Sequence, residues 1–364
     1  MVYYITGSNL FGQWLCEDAV INKFRIFNAP KHDDSGISLN GASLVQINWS
    51  YNIFEIAGSF YITGAWGGKE QQLIKLTLPA ECTVECTDLK VELNAVGNDY
   101  KLLLIGKNTD SIWAMDREKR ETKRIRFCAE TPLEEIVKKQ KIETNIIKSV
   151  FMNDCCLHLT SDGNVYSGIL PSYVDTRNCS GQVIDIRCGY EHFVLLTEEG
   201  RVYTWGNGRR LQLGHGDISS QEVPTEVEAL AGIRIIKICA GGWHSLALST
   251  FGDVYAWGWN DTGQLGINND KGNSNESYSI PTLIDLFDEQ NAEVTKNVKH
   301  IVCGSRHSAI LLDDNTVWTT GCNKYGQLGL SEEKYPSLNY FKKVFHCDNE
   351  CELLCGPWST VIAS

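Results

Sequence analysis

The stretch CAGGWHSLALSTFGDVYAWGWNDTGQLG, from Cys239 to Gly266, recurs along the chain. Two further segments follow its pattern: CGYEHFVLLTEEGRVYTWGNGRRLQLG (Cys188–Gly214) and CGSRHSAILLDDNTVWTTGCNKYGQLG (Cys303–Gly329). In each copy a glycine precedes a histidine by three residues, and a Gln-Leu-Gly triplet closes the unit. Self-similarity at a period of about 50 residues is typical of a repeat architecture.

Each copy is predicted to form short strands joined by turns. Apolar runs such as HSLALS are followed by a turn at Gly200, Gly252 or Asn315, and then by an aromatic and β-branched run such as RVYTWG. This pattern has no helical period and favours an antiparallel meander. The glycines of the Gln-Leu-Gly corners are expected to adopt positive φ angles.

Weaker copies fill the rest of the chain. Three of them cover residues 48–67, 97–116 and 151–168, and two half-copies lie at the ends, CGPWSTVIAS and VYYITGSNLFGQW. The two halves complete one repeat, as in a propeller that closes by pairing its last strand with its first. The sequence therefore predicts an all-β protein, a single seven-bladed β-propeller over residues 1–364 with four-stranded antiparallel blades, in which 355–364 and 1–16 share one blade.

One position recurs at the start of the second strand of every unit. We assign this anchor position to Asn52, Lys101, Cys155, His192, His244, His307 and Ser359. With the shared blade counted first, the short step from Cys155 to His192 predicts an abbreviated fourth blade. The long step from His244 to His307 predicts a flexible insertion at about 268–280, which is rich in Asn and Ser.

Bulk properties narrow the range of partners. The net charge of −12 and the pI near 5.2 disfavour a phosphate backbone, so no direct nucleic-acid partner is expected. The start of the chain has no signal-peptide pattern, and no stretch reaches the roughly 20 apolar residues of a membrane span, so no membrane partner is expected. The 14 cysteines are then expected to be reduced thiols, as in the cytoplasm or nucleus.

The three repeated histidines are the first candidates for catalysis. Because His192, His244 and His307 occupy one repeat position, a ring would spread them apart, and we interpret them as hydrogen-bonding anchors that tie each blade together. Cys347, Cys351 and Cys355 lack the spacing of familiar zinc sites. No phosphate loop or nucleophile elbow is present. The sequence therefore predicts no enzymatic activity, metal or cofactor.

Two segments are expected to decorate the propeller at about 116–145. The basic run DREKRETKRIR (Asp116–Arg126) could contact an acidic partner, act as a nuclear address or form a solvated loop. The following run TPLEEIVKKQK (Thr131–Lys141) carries a capping box, which predicts a short surface helix.

The motif G-x-x-H, then Trp-Gly and N-x-x-G-Q-L-G, resembles the regulator-of-chromosome-condensation repeat, most clearly over Ile186–Ser364. That family forms seven-bladed propellers. CGSRH, KYGQLG and CGPWST are also similar to its small, propeller-only member, a non-enzymatic partner of a Jumonji-C-domain oxygenase (a histone demethylase or arginine hydroxylase) with a role in chromatin regulation and chromosome stability. The resemblance implies a protein-interaction scaffold in the nucleus and cytoplasm. The alternative that it implies is a guanine-nucleotide exchange factor for a Ran-type small GTPase, with histones as a further possible protein partner.

Partner-binding residues are expected beside the anchors. The residue just before the anchor varies between copies and lies in a loop at one rim, where exposed aromatic and arginine side chains favour binding hot spots. The first candidates are Glu191, Trp243, Arg306 and Trp358, and the second are Arg177, Arg209, Arg210 and Trp259. The alternative is that the tryptophans only pack between blades.

Overall fold

Seven four-stranded antiparallel sheets build the protein. The computed structural model describes residues 1–28, 39, 41–67, 69–78, 92–106, 111–117, 121–126, 145–267 and 276–364. Each sheet is one blade, and its strands are called a to d from the central axis outwards. This confirms the predicted fold class.

The first four blades, with the shared blade counted first, have strands a to d as follows. Blade 1 is β27 (Glu352–Gly356), β28 (Ser359–Ala363), β1 (Tyr3–Ser8) and β2 (Val20–Ile26). Blade 2 is β3 (Ser43–Ile47), β4 (Tyr51–Ile56), β5 (Ser59–Trp66) and β6 (Lys69–Lys75). Blade 3 is β7 (Leu93–Gly97), β8 (Lys101–Gly106), β9 (Ser111–Asp116) and β10 (Thr122–Arg126). Blade 4 is β11 (Ile146–Met152), β12 (Cys155–Thr160), β13 (Val165–Ser167) and β14 (Ser172–Val174), so its two outer strands are short.

The last three blades carry the strongest repeats. Blade 5 is β15 (Val183–Cys188), β16 (His192–Thr197), β17 (Val202–Gly206) and β18 (Gln221–Glu226), followed by a 3-10 turn at Glu228–Leu230. Blade 6 is β19 (Ile235–Ala240), β20 (His244–Ser249), β21 (Val254–Gly258) and β22 (Tyr278–Leu283). Blade 7 is β23 (Val298–Cys303), β24 (His307–Leu312), β25 (Thr316–Cys322) and β26 (Ser337–His346).

The two ends of the chain close the ring within blade 1. Strands β1 and β28 pair in register from Tyr3 opposite Ala363 to Gly7 opposite Ser359. The backbones of Val2 and Ser364 extend the ladder with reciprocal hydrogen bonds of 2.7 and 2.9 Å. The predicted closure is confirmed. The shared blade consists of residues 352–364 and 1–26, and is thus larger than the expected 355–364 and 1–16.

The hydrophobic core lies between neighbouring blades. One buried cluster joins Leu246 and Leu248 of β20 to Ile310 of β24 and Trp318 of β25. The b strands are buried along their whole length in blades 6 and 7, because each packs against blades on both sides. Stability thus depends on stacking around the ring.

Part of the expected decoration at about 116–145 and the end of the expected insertion at about 268–280 form strands. Thr122–Arg126, within the basic run, forms β10, the outermost strand of blade 3. Tyr278–Leu283, where the predicted insertion ends, forms β22. The predicted helix at 131–141 and residues 268–275 lie outside the described part of the chain. Among the described residues there is no helix long and apolar enough to cross a membrane.

Candidate interaction site

The three repeated histidines bind the adjacent blade. Their Nε2 atoms lie 2.9 Å from Ser245 Oγ for His192, 2.9 Å from Ser308 Oγ for His244, and 3.0 Å from Thr360 Oγ1 for His307. Each hydroxyl belongs to the following blade. The expectation that each histidine ties its own blade together is therefore corrected, since the side-chain bonds join consecutive blades.

The hydrogen bonds also fix the tautomer of the His244 ring. Ser308 Oγ donates to the carbonyl of Gln264 at 2.7 Å, so it must accept its other bond from His244 Nε2–H. Burial lowers the pKa of His192, His244 and His307 to about 3, which keeps all three neutral at pH 7. Their role is structural.

Steric contact explains why glycine stands three residues before each histidine. A Cβ on Gly241 would lie 2.1 Å from Cε1 of His244 and 2.5 Å from the carbonyl oxygen of Gly304 in the next blade. Gly189 and Gly304 have the same relation to His192 and His307. The G-x-x-H motif therefore requires glycine because the imidazole lies too close to the backbone for a Cβ atom.

Blade 2 uses a different anchor from the one predicted. Tyr51, and not Asn52, pairs with Gly64 as His192 pairs with Gly206. The buried Tyr51 hydroxyl donates to the carbonyl of Asn98 in blade 3 at 2.9 Å. A tyrosine thus makes an inter-blade bond in this blade.

The Gln-Leu-Gly corners form a second set of links between blades. The carbonyl of Gln212 accepts from Trp257 Nε1 at 2.9 Å, and that of Gln327 accepts from Thr360 Oγ1 at 2.7 Å. Gln13, in the amino-terminal half-copy, accepts from Thr63 Oγ1 at 2.7 Å in the same way. The closing glycines have φ angles of 80°, 66° and 73° at Gly214, Gly266 and Gly329, as expected.

The hairpins between strands a and b and the corners between strands c and d lie at one end of the strands, because the start of each b strand pairs with the end of the c strand. We call this end the rim. Backbone hydrogen bonds join its hairpins in sequence: Tyr190 N to Gly242 O, Gly242 N to Ser305 O, and Ser305 N to Pro357 O, at 2.9, 3.0 and 2.9 Å. The rim is thus a rigid arc over blades 5, 6, 7 and 1.

A stack of aromatic rings and guanidinium groups lies on this arc, which we call the Trp243 stack. The Arg210 guanidinium lies 4.3 Å from the ring centroid of Trp243 and 3.6 Å from that of Trp259. Arg306 lies 5.0 Å from the Trp259 ring and forms an ion pair of 2.8 Å with Asp261. The structure therefore brings together four predicted residues from blades 5, 6 and 7.

A second aromatic cluster continues the arc onto blades 1 and 2. Trp358 lies 5.8 Å from Trp49 and 5.3 Å from Tyr325, and Phe11 lies 5.9 Å from Trp49, between ring centroids. Trp358 was predicted, whereas Trp49, Tyr325 and Phe11 were missed. Trp49 lies in the a–b hairpin of blade 2 two residues before the anchor Tyr51, whereas the first candidates were the residues just before each anchor.

Two of the three remaining candidates also lie on the rim. Glu191 is exposed on the rim and accepts a hydrogen bond from Asn207 Nδ2 at 3.2 Å, and Arg209 is exposed in the neighbouring corner. Arg177 follows the d strand of blade 4, at the opposite end of the strands, where it pairs with Asp175 at 2.7 Å. The rim therefore holds every predicted partner-binding residue except Arg177. In the described ranges, no cluster of three or more His, Cys, Asp or Glu residues could hold a metal ion.

Comparison with known proteins supports the repeat assignment. The profile of the regulator of chromosome condensation (RCC1) repeat matches residues 199–248 and 252–311, and a second RCC1 repeat profile matches 183–212, 235–264 and 298–327. RCC1 domain-containing protein 1 of Mus musculus is 33% identical over 219 residues, which is 50% of this chain and 55% of that protein. The chain thus spans about half the length of this curated relative.

Two solved structures share the whole fold. Human WBSCR16 superposes with a TM-score of 0.75 at 15% identity, covering 100% of both chains. Prp20p from Saccharomyces cerevisiae, a protein with binding properties to Gsp1p and histones, superposes with a TM-score of 0.74 at 16% identity, covering 99% of this chain and 90% of its own.

Proposed function

Since this chain carries RCC1 repeats within residues 183–327, we propose that it is a non-catalytic scaffold that captures a protein partner on its rim. The proposed partner is a Jumonji-C-domain oxygenase, a histone demethylase or arginine hydroxylase. The scaffold would act in the nucleus and cytoplasm in support of chromatin regulation and chromosome stability.

The Trp243 stack carries this proposal. Trp243, Trp259, Arg210 and Arg306 are each half-buried, so part of every side chain remains open to a partner. Tryptophan and arginine dominate the energetics of protein interfaces. Neighbouring rings already hold these side chains in place, so little rotamer entropy remains to be lost on binding.

The charges on the rim indicate what the partner should present. Within the described chain, the guanidinium groups of Arg209 and Arg210 have no ion pair, whereas Arg306 is paired with Asp261. A carboxylate of the partner could bind Arg210 at the edge of its stack, where the indole rings exclude water and strengthen the charge pair. We therefore expect an acidic side chain next to an apolar one in the partner's contact segment.

The second candidate function is guanine-nucleotide exchange on a Ran-type small GTPase. The carboxylates of Asp154 and Glu191 are exposed on the same rim, where they could compete for the magnesium ion of a bound nucleotide. A nucleotide-release assay separates the two functions: catalytic acceleration supports exchange, and unchanged release supports the scaffold.

The double variant Trp243→Ala with Arg306→Ala tests the scaffold. We expect it to fold and to lose capture of the purified oxygenase in a pull-down. The matched control is Phe251→Ala with Arg234→Ala, which removes an aromatic ring, 75% exposed, and an arginine at the opposite end of blade 6. Unchanged capture by the folded rim variant, or equal loss in the control, would contradict the proposal.

A further inference from the structure

The a strands of all seven blades surround an axial channel with a volume of about 580 Å³. Trp49, Tyr100 and Trp358 line it at the rim, and Lys237 and His300 line it deeper along the a strands. Pockets that bind small molecules commonly have volumes of about 300–1,000 Å³. The channel is therefore large enough for a small organic ligand.

Three neighbouring a strands carry basic side chains into the deep part of this channel. They are Arg187 on β15, Lys237 on β19 and His300 on β23. Arg187 is held in place: its Nη2 lies 3.3 Å from Asp185 Oδ2, and its Nε donates to the carbonyl of Ile238 at 3.2 Å.

The acidic groups nearby do not balance these cations. Asp185 is shared, because Lys148 also pairs with it. Glu352 lines the channel but is exposed to solvent, and Asp99 lines it at the rim end, where it lies 3.9 Å from Arg117. Lys237 has no hydrogen bond or ion pair within the described residues, and His300 Nδ1 is buried there without a partner. The deep channel thus offers one free ammonium group and one free ring nitrogen beside a fixed guanidinium.

The titration behaviour agrees with a positive field in this part of the channel. Burial, Lys237, Arg187 and Lys299 lower the pKa of His300 to about 4, and no carboxylate opposes them. Burial and Arg187 lower the pKa of Lys237, although Cys239, Asp185 and Glu352 partly offset them. The apolar side chains of Val96, Val150 and Val302 line the wall, and an apolar wall strengthens the field by lowering the local dielectric.

An unpaired, partly buried lysine destabilises the protein that contains it, unless a ligand supplies the counter-charge. We propose that the axial channel binds a small organic anion carrying several carboxylate or phosphate groups. Arg187 and Lys237 bind the anionic oxygens, and the ring of His300 completes the hydrogen bonding. This site is separate from the Trp243 stack, and the proposal does not depend on the function of the rim.

Calorimetric titration of the full chain with tripolyphosphate, and separately with tricarballylate, tests the proposal. We expect saturable binding of one molecule per chain for at least one probe. The probe that binds more tightly shows whether the site prefers phosphate or carboxylate groups. Lys237→Met should weaken binding about tenfold or more, since the variant loses a charge-assisted hydrogen bond to the anion. Lys123→Met, an exposed lysine on the outer strand β10, is the matched control and should bind as the native chain does.

A second readout separates a ligand site from a structural lysine. Without ligand, Lys237→Met should be at least as stable as the native chain towards urea, because the variant removes an uncompensated charge. Lys237→Gln provides the same comparison with a polar side chain. Absence of saturable binding of both probes, or equal affinity in the Lys237 and Lys123 variants, would overturn the proposal.

Discussion

His244 donates a hydrogen bond from Nε2 to Ser308 Oγ across 2.9 Å, and Ser308 donates in turn to the carbonyl of Gln264 at 2.7 Å. These two hydrogen bonds join the start of β20 in blade 6, the start of β24 in blade 7 and the glycine-rich corner of blade 6. Since the a–b hairpins that carry Trp243 and Arg306 lead directly into β20 and β24, the same bonds hold the rim in place.

Replacement of His244 tests this link. His244→Ala removes a fully buried ring and leaves the hydroxyl of Ser308 without its donor, so we expect the free energy of unfolding to fall by about 2–4 kcal/mol. His346→Ala, at an exposed position, should change stability by no more than about 0.5 kcal/mol. Urea denaturation followed by circular dichroism measures both. A native-like midpoint for His244→Ala would refute the link.

The three repeated histidines predict a loss of stability in acid. The unfolded chain binds a proton on each histidine as the pH falls through 6.5, whereas the folded chain resists protonation down to a pKa of about 3. The free energy of unfolding should therefore decrease as the pH falls through this window, by about 1.4 kcal/mol per pH unit for each histidine.

Denaturation midpoints at about pH 7 and about pH 5 measure this dependence. In His244→Gln, residue 244 cannot titrate. The free energy of unfolding of this variant should therefore change less with pH, by about 1.4 kcal/mol per pH unit. Equal stability of the native chain at the two pH values would show that these rings are not buried as neutral groups.

The stack at the rim predicts a difference between arginine and lysine. The planar guanidinium of Arg210 lies against two indole rings, and a lysine ammonium cannot stack in this way. Arg210→Lys should therefore weaken partner binding about three- to tenfold and alter the tryptophan fluorescence, while stability changes little. Arg201→Lys, at the opposite end of blade 5, is the control. If Arg210→Lys bound the partner with native affinity, the Trp243 stack would not be part of the interface.

Much of the fold could be predicted because steric and hydrogen-bonding needs recur at fixed spacing. Gly241 and His244 must be three residues apart for the ring to lie on the glycine backbone, so the motif identifies the blade wherever it occurs. The amino-terminal corner around Gln13 accepts the same kind of inter-blade hydrogen bond as the other corners. It therefore keeps their sequence pattern, from which the shared blade could be predicted.

The remaining features depend on contacts that no local pattern contains. Tyr51 makes its inter-blade bond through its own phenol hydroxyl and not through an imidazole. The histidine motif therefore did not identify it, and the predicted blade 2 anchor lies one residue too late. Strand β10 lies at the outer edge and needs no apolar face, so its basic residues resembled a loop. Arg210 and Trp259 lie far apart in sequence and meet only across neighbouring blades, and for the same reason the cationic set of Arg187, Lys237 and His300 was missed.

Hydrogen–deuterium exchange of the chain, free and bound to the purified oxygenase, tests the central claim most directly. We expect slower exchange in the a–b hairpins around Trp243, Arg306 and Trp358 on binding, with no change in the b–c turns around Phe251 at the other end of the strands. Protection confined to those b–c turns, with the hairpins unchanged, would contradict it.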